Sequence, residues 1–164
     1  MKLLAIDPGY DRVGIAILEK NPDLNNGRET VMFSTCVQTD KTLDFYGRMK
    51  QVTKALESII AEHQPTVLVI EELYFAKNTQ TAMRVSEARG IIAGVCMNHD
   101  IAIHEIHPNR VKIAITGHGS SNKADILWML PKLVTIDTDK KLDDELDAIA
   151  MGVAFFAEYN MNQV

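Results

Sequence analysis

The stretch Lys2 to Leu18, KLLAIDPGYDRVGIAIL, constrains this 164-residue chain more than any other. Leu3, Leu4, Ala5 and Ile6 run on without apolar/polar alternation, the pattern of a strand covered on both faces. That strand ends in Asp7. Pro8 and Gly9 then supply a fixed and a free φ at a tight turn, and Val13 to Leu18 form a second aliphatic strand broken by Gly14. A carboxylate is thereby expected at the rim of a buried sheet. Taken alone, Asp7 reads more plainly as the first residue of a turn.

The length suits one domain spanning 1–164, and 46% hydrophobic with 24% charged residues fits a globular chain with a sizeable core. No run approaches the roughly 18 apolar residues of a membrane span. Met1 leads straight into the first strand with no secretory segment, so the expected location is the cytoplasm, with no membrane partner. Cys36 and Cys96 are far apart among apolar residues and are expected to be small buried hydrophobes, without a disulfide framework or metal motif. The net charge of -5 argues against a nucleic-acid partner, which usually meets a basic surface. Distribution answers this: from Lys77 to Lys123 there are six Lys or Arg against three acids, a local balance of +3.

Along the chain, the turn formers of Asn21 to Gly27 separate the second strand from a third at Glu29 to Gln38, giving an antiparallel meander. Thr39, Asp40 and Thr42 offer caps for a helix whose apolar residues, Leu43 to Ile60, recur at helical spacing up to Gln64 and Pro65. Val67 to Ile70 is a fourth, doubly covered strand ending in Glu71 and Glu72, and the crossover before it lets it lie parallel beside the first. A helix from Asn78 to about Asn98, capped by Asn78 or Thr79, carries apolar and small residues around most of its surface. Gly90 and Gly94 in mid-helix suggest close approach of another backbone, from the sheet or from a partner subunit. Ile101 to Ile106 reads as a fifth strand. A short helix then starts at Pro108, the loop Thr116 to Ser121 leads to a helix from about Asn122 to Leu130, and a last helix runs from about Lys140 to Tyr159. Its buried stripe is expected to be Leu142, Leu146, Ile149, Val153 and Phe156. The fold class is α/β, a mixed five-stranded sheet of three antiparallel strands with parallel additions, flanked by helices.

Acid recurs at element ends: Asp7, then Glu71 and Glu72, then Asp143, Asp144 and Asp147. Facing carboxylates repel unless protons or hard cations neutralise them, and magnesium is the natural candidate. Two such ions about 4 Å apart can activate water and hold the oxygens of a phosphodiester. Asp7, on the most central strand, is the expected bridging ligand. Spacing leaves two choices open. Glu71 and Glu72 point to opposite faces of their strand, and Asp143 and Asp144 both share a helix face with Asp147. The acids of the last helix would also complement its dipole without any catalytic role.

The chain resembles the RuvC family of Holliday-junction resolvases, metal-dependent nucleases of the ribonuclease H-like fold. The resemblance rests on Ile6-Asp7-Pro8-Gly9, Val69-Ile70-Glu71 with Tyr74 and Lys77-Asn78, Thr81-Ala82 leading to Ala88-Arg89-Gly90, Arg110-Val111-Lys112 with Gly117, Gly119 and Lys123, and Asp144-Glu145-Leu146-Asp147-Ala148. It implies a catalytic and metal-binding tetrad of Asp7, Glu71, Asp144 and Asp147, two magnesium ions with manganese able to substitute, and paired symmetric nicks in a four-way DNA junction. It further implies a homodimer, with the RuvA and RuvB branch-migration proteins as candidate partners, and Tyr74 stacking near the junction centre. The DNA-contacting set completes with Lys77, Arg84, Arg110, Lys112 and Lys123. Val13 stands where the family commonly has Thr, and Asp125 where a neutral residue is usual.

Arg12 to Leu18 is also similar to YqgF-type relatives of the same fold, which leaves a nuclease for another nucleic acid as an alternative. A non-catalytic junction-binding protein is a second alternative, against which the intact tetrad argues. A sugar-kinase-like phosphotransferase would need two such domains around a nucleotide, more than 164 residues supply.

Overall fold

A computed structural model of the chain describes residues 1–23, 25–72 and 79–161, apart from the side chains of residues 26, 79–81 and 160–161. The strands are β1 (Lys2–Asp7), β2 (Arg12–Lys20), β3 (Glu29–Gln38), β4 (Val67–Glu71) and β5 (Ala102–Ile106). The helices are α1 (Phe45–His63), α2 (Thr79–Asn98), α3 (Pro108–Thr116), α4 (Lys123–Leu133) and α5 (Asp143–Met161). One sheet forms in the order β3-β2-β1-β4-β5, antiparallel across the first three strands and parallel from β1 through β4 to β5. β1 lies inside the sheet with helices over both of its faces, which is why its sequence does not alternate.

Side-chain parity sorts the core into two layers. Leu4, Ile6, Val13, Ile15, Ile17, Leu68 and Ile70 face α1 and α2, while Leu3, Ala5, Ala16, Leu18 and Val69 face α3, α4 and α5. Each fully buried Leu or Ile contributes roughly 1.5 to 3 kcal/mol. Val13 is wholly buried on the α1 face, where a methyl packs and a hydroxyl would need a partner. The parity has a functional consequence. Asp7 continues the odd-numbered set of β1 and Glu71 that of β4, and since Ile6 pairs with Ile70, both carboxylates leave the sheet side by side toward α5. Glu72, on the opposite parity, is exposed, and its amide bonds the Ile106 carbonyl at 2.9 Å.

Several expected boundaries and roles differ. α1 is capped by Asp44, whose side chain accepts from the Gly47 amide at 2.8 Å. Asp40 instead closes a turn onto the Thr42 amide and hydroxyl, and Thr39 bonds carbonyls of the β1–β2 turn. α5 starts at Asp143. Lys140 belongs to a 3-10 turn, and Leu142 stays 38% exposed outside the stripe that Leu146, Ile149, Val153 and Phe156 form. α4 runs through Pro131 into its last turn, and Asp125 completes a capping box with Asn122. Gly9 does not use a positive φ. A Cβ there would lie 2.0 Å from the Arg12 carbonyl, so close approach demands the glycine. Cys96 is fully buried as expected, whereas Cys36, on β3 opposite Gly14, is half-buried. Among the described residues no helix is long and apolar enough to cross a membrane.

Candidate active site

The rim above β1 and β4 is closed by the first turns of α5. That helix is brought down by a glycine: a Cβ on Gly14 of β2 would lie 1.8 Å from the Asp144 carbonyl oxygen, so nothing larger lets the helix seat there. A polar clamp secures the same end from the side. Ser34 on β3 donates to Glu145 at 2.6 Å, and Lys141 donates to both Ser34 and Glu145 at 2.7 and 2.6 Å. Asp144 and Asp147, on either side of Glu145, are thereby presented toward Asp7 and Glu71.

Electrostatics records this proximity. Burial, then Asp147, Glu71 and Asp144, push the Asp7 carboxyl up to about 7, against an opposing pull from Lys123. Burial and Asp147 raise Glu71, and neighbouring His107 partly counters this. Asp147 is raised by burial in spite of a 2.7 Å bond from Lys123, which also pairs with exposed Asp143 at 3.5 Å. Asp144 is engaged from the other side, its Oδ2 lying 3.0 Å from Nε of Arg12. That pair is not aligned as a hydrogen bond, so Oδ2 is a buried acceptor without one. Among the described residues no three His, Cys, Asp or Glu side chains close on one point as they stand. The donor set is nonetheless that of a hard cation: carboxylates whose mutual repulsion and burial penalise charge, one with an oxygen free of hydrogen bonds.

A proton should therefore substitute for a cation. Native Asp7 binds a proton between about pH 4 and 7 that the unfolded chain does not, so its ionisation lowers stability as pH rises through that window. In EDTA, Asp7→Asn is expected to melt with wild type near pH 4 and several degrees above it at pH 8. A melting gap that does not change with pH, measured by calorimetry, would contradict this.

A cavity of about 310 Å³ opens beside Asp7, Glu71 and Asp147, bordered by Lys112, Lys123, Val111 and Met151. Lys112 and Lys123 thus lie with the acids. Arg84 does not: it bonds Glu87 at 2.8 Å and lies over the Phe45 ring. Arg110 is turned to the outer edge by β5, paired with Glu158 at 3.1 Å. Tyr74 and Lys77 lie outside the described residues, as does the expected α2 cap at Asn78, while nothing is described of the Thr79 side chain.

Three supports were not apparent in the sequence. Arg89 of α2 donates to the Glu71 carbonyl at 3.1 Å and pairs with Glu105, tying the end of β4 to β5. Buried Arg48 of α1 bonds Thr39 at 2.8 Å, pairs with Asp11 and lies 3.8 Å over the Tyr10 ring, fixing the β1–β2 turn. Its hydrogen bond holds the Asp11 carboxyl below the usual range. The third is Arg12 on Asp144. Arg89 had a signal in its motif, whereas a lone Arg in a helix or turn has none.

The strand order and the acid-bearing rim are those of a ribonuclease H-like α/β protein. The family model for crossover junction endodeoxyribonuclease RuvC matches residues 3–155. A RuvC of Carboxydothermus hydrogenoformans is 36% identical over 156 residues, covering 95% of this chain and 96% of the relative. One of Thermosipho melanesiensis is 35% identical over 92% of this chain and 94% of its own. The structure of T. thermophilus RuvC in complex with Holliday junction substrate superposes with a TM-score of 0.88 at 19% identity, covering 99% of this chain and 96% of that one. The chain belongs to the RuvC family of crossover junction endodeoxyribonucleases, metal-dependent enzymes that hydrolyse DNA.

Proposed function

We infer that this protein is a structure-selective endonuclease that resolves Holliday junctions in DNA recombination and repair by paired symmetric nicks. The observation that carries the reading is the convergence of acid from β1, β4 and α5 on one rim, in a chain that matches the RuvC family over nearly its whole length. We assign Asp7, Glu71, Asp144 and Asp147 as the catalytic set and as the residues that would hold the metal. The support is the parity that turns Asp7 and Glu71 toward α5 and the burial, reinforced by neighbouring carboxylates, that raises Asp7, Glu71 and Asp147. Magnesium ions, two in number, or manganese in their place, would supply there an activated water and charge neutralisation for the phosphodiester oxygens.

The chain's own part is orientation and charge. β1 and β4 fix two carboxylates at the ends of two interior strands, and the Gly14 contact and the Ser34–Glu145–Lys141 clamp hold the start of the helix that carries the other two. Lys112 and Lys123, at the cavity, bring positive charge to the DNA backbone, where each phosphate contact releases about one counterion. Tyr74, Lys77, Arg84 and Arg110 complete the proposed contacts. Synthetic four-way junctions with magnesium test the function, paired nicks at symmetric positions being the expected product.

A two-fold symmetric junction cut twice calls for a two-fold symmetric enzyme. We assign the homodimer interface to α2, which buries Ala88, Ile92 and Cys96 but leaves Met83 and Met97 65% and 58% exposed, with open space around Gly90 and Gly94. Light scattering at micromolar concentration should give two chains, and Gly90→Ala/Gly94→Ala should weaken the pair. A monomer would contradict the assignment. Cytoplasmic location and service alongside the RuvA and RuvB branch-migration proteins complete the proposal.

A further inference from the structure

The turn between β1 and β2 forms one wall of a second cavity, of about 520 Å³, which shares no lining residue with the pocket at Asp7 but has Asp144 in its wall. Tyr10, Arg12 and Lys41 border it. Two acids also line it, Asp11 and Asp144, and their partners differ in kind. Asp11 is held by Arg48, whose side chain is only 5% exposed and is fixed further by Thr39 and the Tyr10 ring, with the Lys41 ammonium a looser 3.9 Å away. That neutralisation is permanent. Asp144 is met by Arg12, 48% exposed at the cavity mouth and lacking an aligned hydrogen bond to the oxygen it approaches. That neutralisation is exchangeable, because Arg12 is half exposed and no aligned hydrogen bond fixes it on the carboxylate.

We propose that Arg12 is an exchangeable counter-cation: it occupies Asp144 in the metal-free protein and, displaced when Asp144 takes a divalent cation, turns into the second cavity to bind a backbone phosphate of the DNA. The proposal rests on the assignment of Asp144 as a metal ligand. The charge arithmetic is local. With Asp144 engaged elsewhere, Asp11 is the acid left in the wall and is shared among Arg48, Lys41 and Arg12, so the wall is left net positive, and a phosphate is the group that complements it. A guanidinium suits both states because its fork matches carboxylate and phosphate alike. Arg12 would thus be a positioning and binding residue. It lowers metal affinity while DNA is absent and raises DNA affinity once metal is present.

Calorimetric titration of manganese without DNA tests the first half, and junction binding in calcium across a salt series tests the second. Arg12→Ala should bind manganese about two- to five-fold more tightly, as expected for removal of a weak competing ion pair. In calcium its log-log salt slope for junction binding should be shallower by about one. Arg12→Lys should keep the slope and restore most of the competition. Arg12 is half exposed, so folding is expected to be unaffected, and Arg12→Gln provides a second neutral variant. Unchanged or weaker manganese binding in both neutral variants would overturn the proposal, as would an unchanged slope. Asp144→Asn separates the two levels: if it leaves manganese affinity untouched, the ligand assignment itself fails, whatever Arg12 does.

Discussion

Asp7→Asn is expected to lower junction cleavage by about a thousandfold or more while leaving junction binding intact, or slightly stronger without metal. Asparagine nearly matches aspartate in shape, so the end of β1 keeps its packing. The amide cannot supply the charge that would hold two cations together. Loss of a residue that merely supports a metal ligand costs 10- to 100-fold, and a bridging ligand should cost more. Binding rests on other groups, the lysines beside the cavity among them. Removing one negative charge beside the scissile phosphate relieves repulsion, which is why affinity in EDTA should hold or rise. A gel-shift titration and a nicking assay on one junction read both quantities. Near wild-type cutting by the mutant would end the assignment of Asp7.

Gly14→Ala is expected to be nearly as damaging without touching a single acid. The Asp144 carbonyl, 1.8 Å from the new methyl, must retreat by about 1.2 Å to reach the 3.0 Å limit that real Cβ contacts respect. The first turn of α5 would move with it, carrying Asp144 and Asp147 away from Asp7 and Glu71. A displacement of about 1 Å in a catalytic array can cost on the order of 100-fold in rate. Overpacking against backbone should also cost about 1 to 3 kcal/mol of stability. The mutant should therefore melt lower and cut at least about 100-fold more slowly. Wild-type melting with cleavage within a few-fold would mean that α5 does not approach β2 as described.

The parts of this architecture that were legible in the sequence are those written in periodicity. The unbroken aliphatic runs of β1 and β4 announced strands covered on both faces, and the acid following each run marked the rim. Parity then explains what sequence spacing alone left open: Glu71 shares a face with Asp7 through a strand pairing whose register no single strand reveals. The resemblance had preferred Glu71 and Asp144 on motif grounds. Packing shows Asp143 to be exposed on Lys123 and Asp144 to lie under Arg12. The illegible parts are contacts between polar groups far apart in the chain. Nothing in a mid-helix Arg48 tells that it is buried on Thr39 and Asp11, and nothing in Ser34 tells that it clamps Glu145, 111 residues later. The misplaced cap of α1 has the same origin. Thr39, Asp40 and Thr42 are the caps the sequence offers, but the β1–β2 turn claims Thr39, Thr42 bonds Asp40, and the cap falls to Asp44.

Cutting of junctions, and not of DNA in general, is the activity we infer for this acid-rimmed sheet. Wild-type protein incubated with magnesium on a synthetic four-way junction, beside a linear duplex of the same sequence, tests it most directly. Paired nicks at symmetric positions on opposed strands, absent in EDTA and absent from the duplex, are the predicted result. Equal nicking of the duplex, or binding of the junction with no nicks in magnesium or manganese, would contradict it.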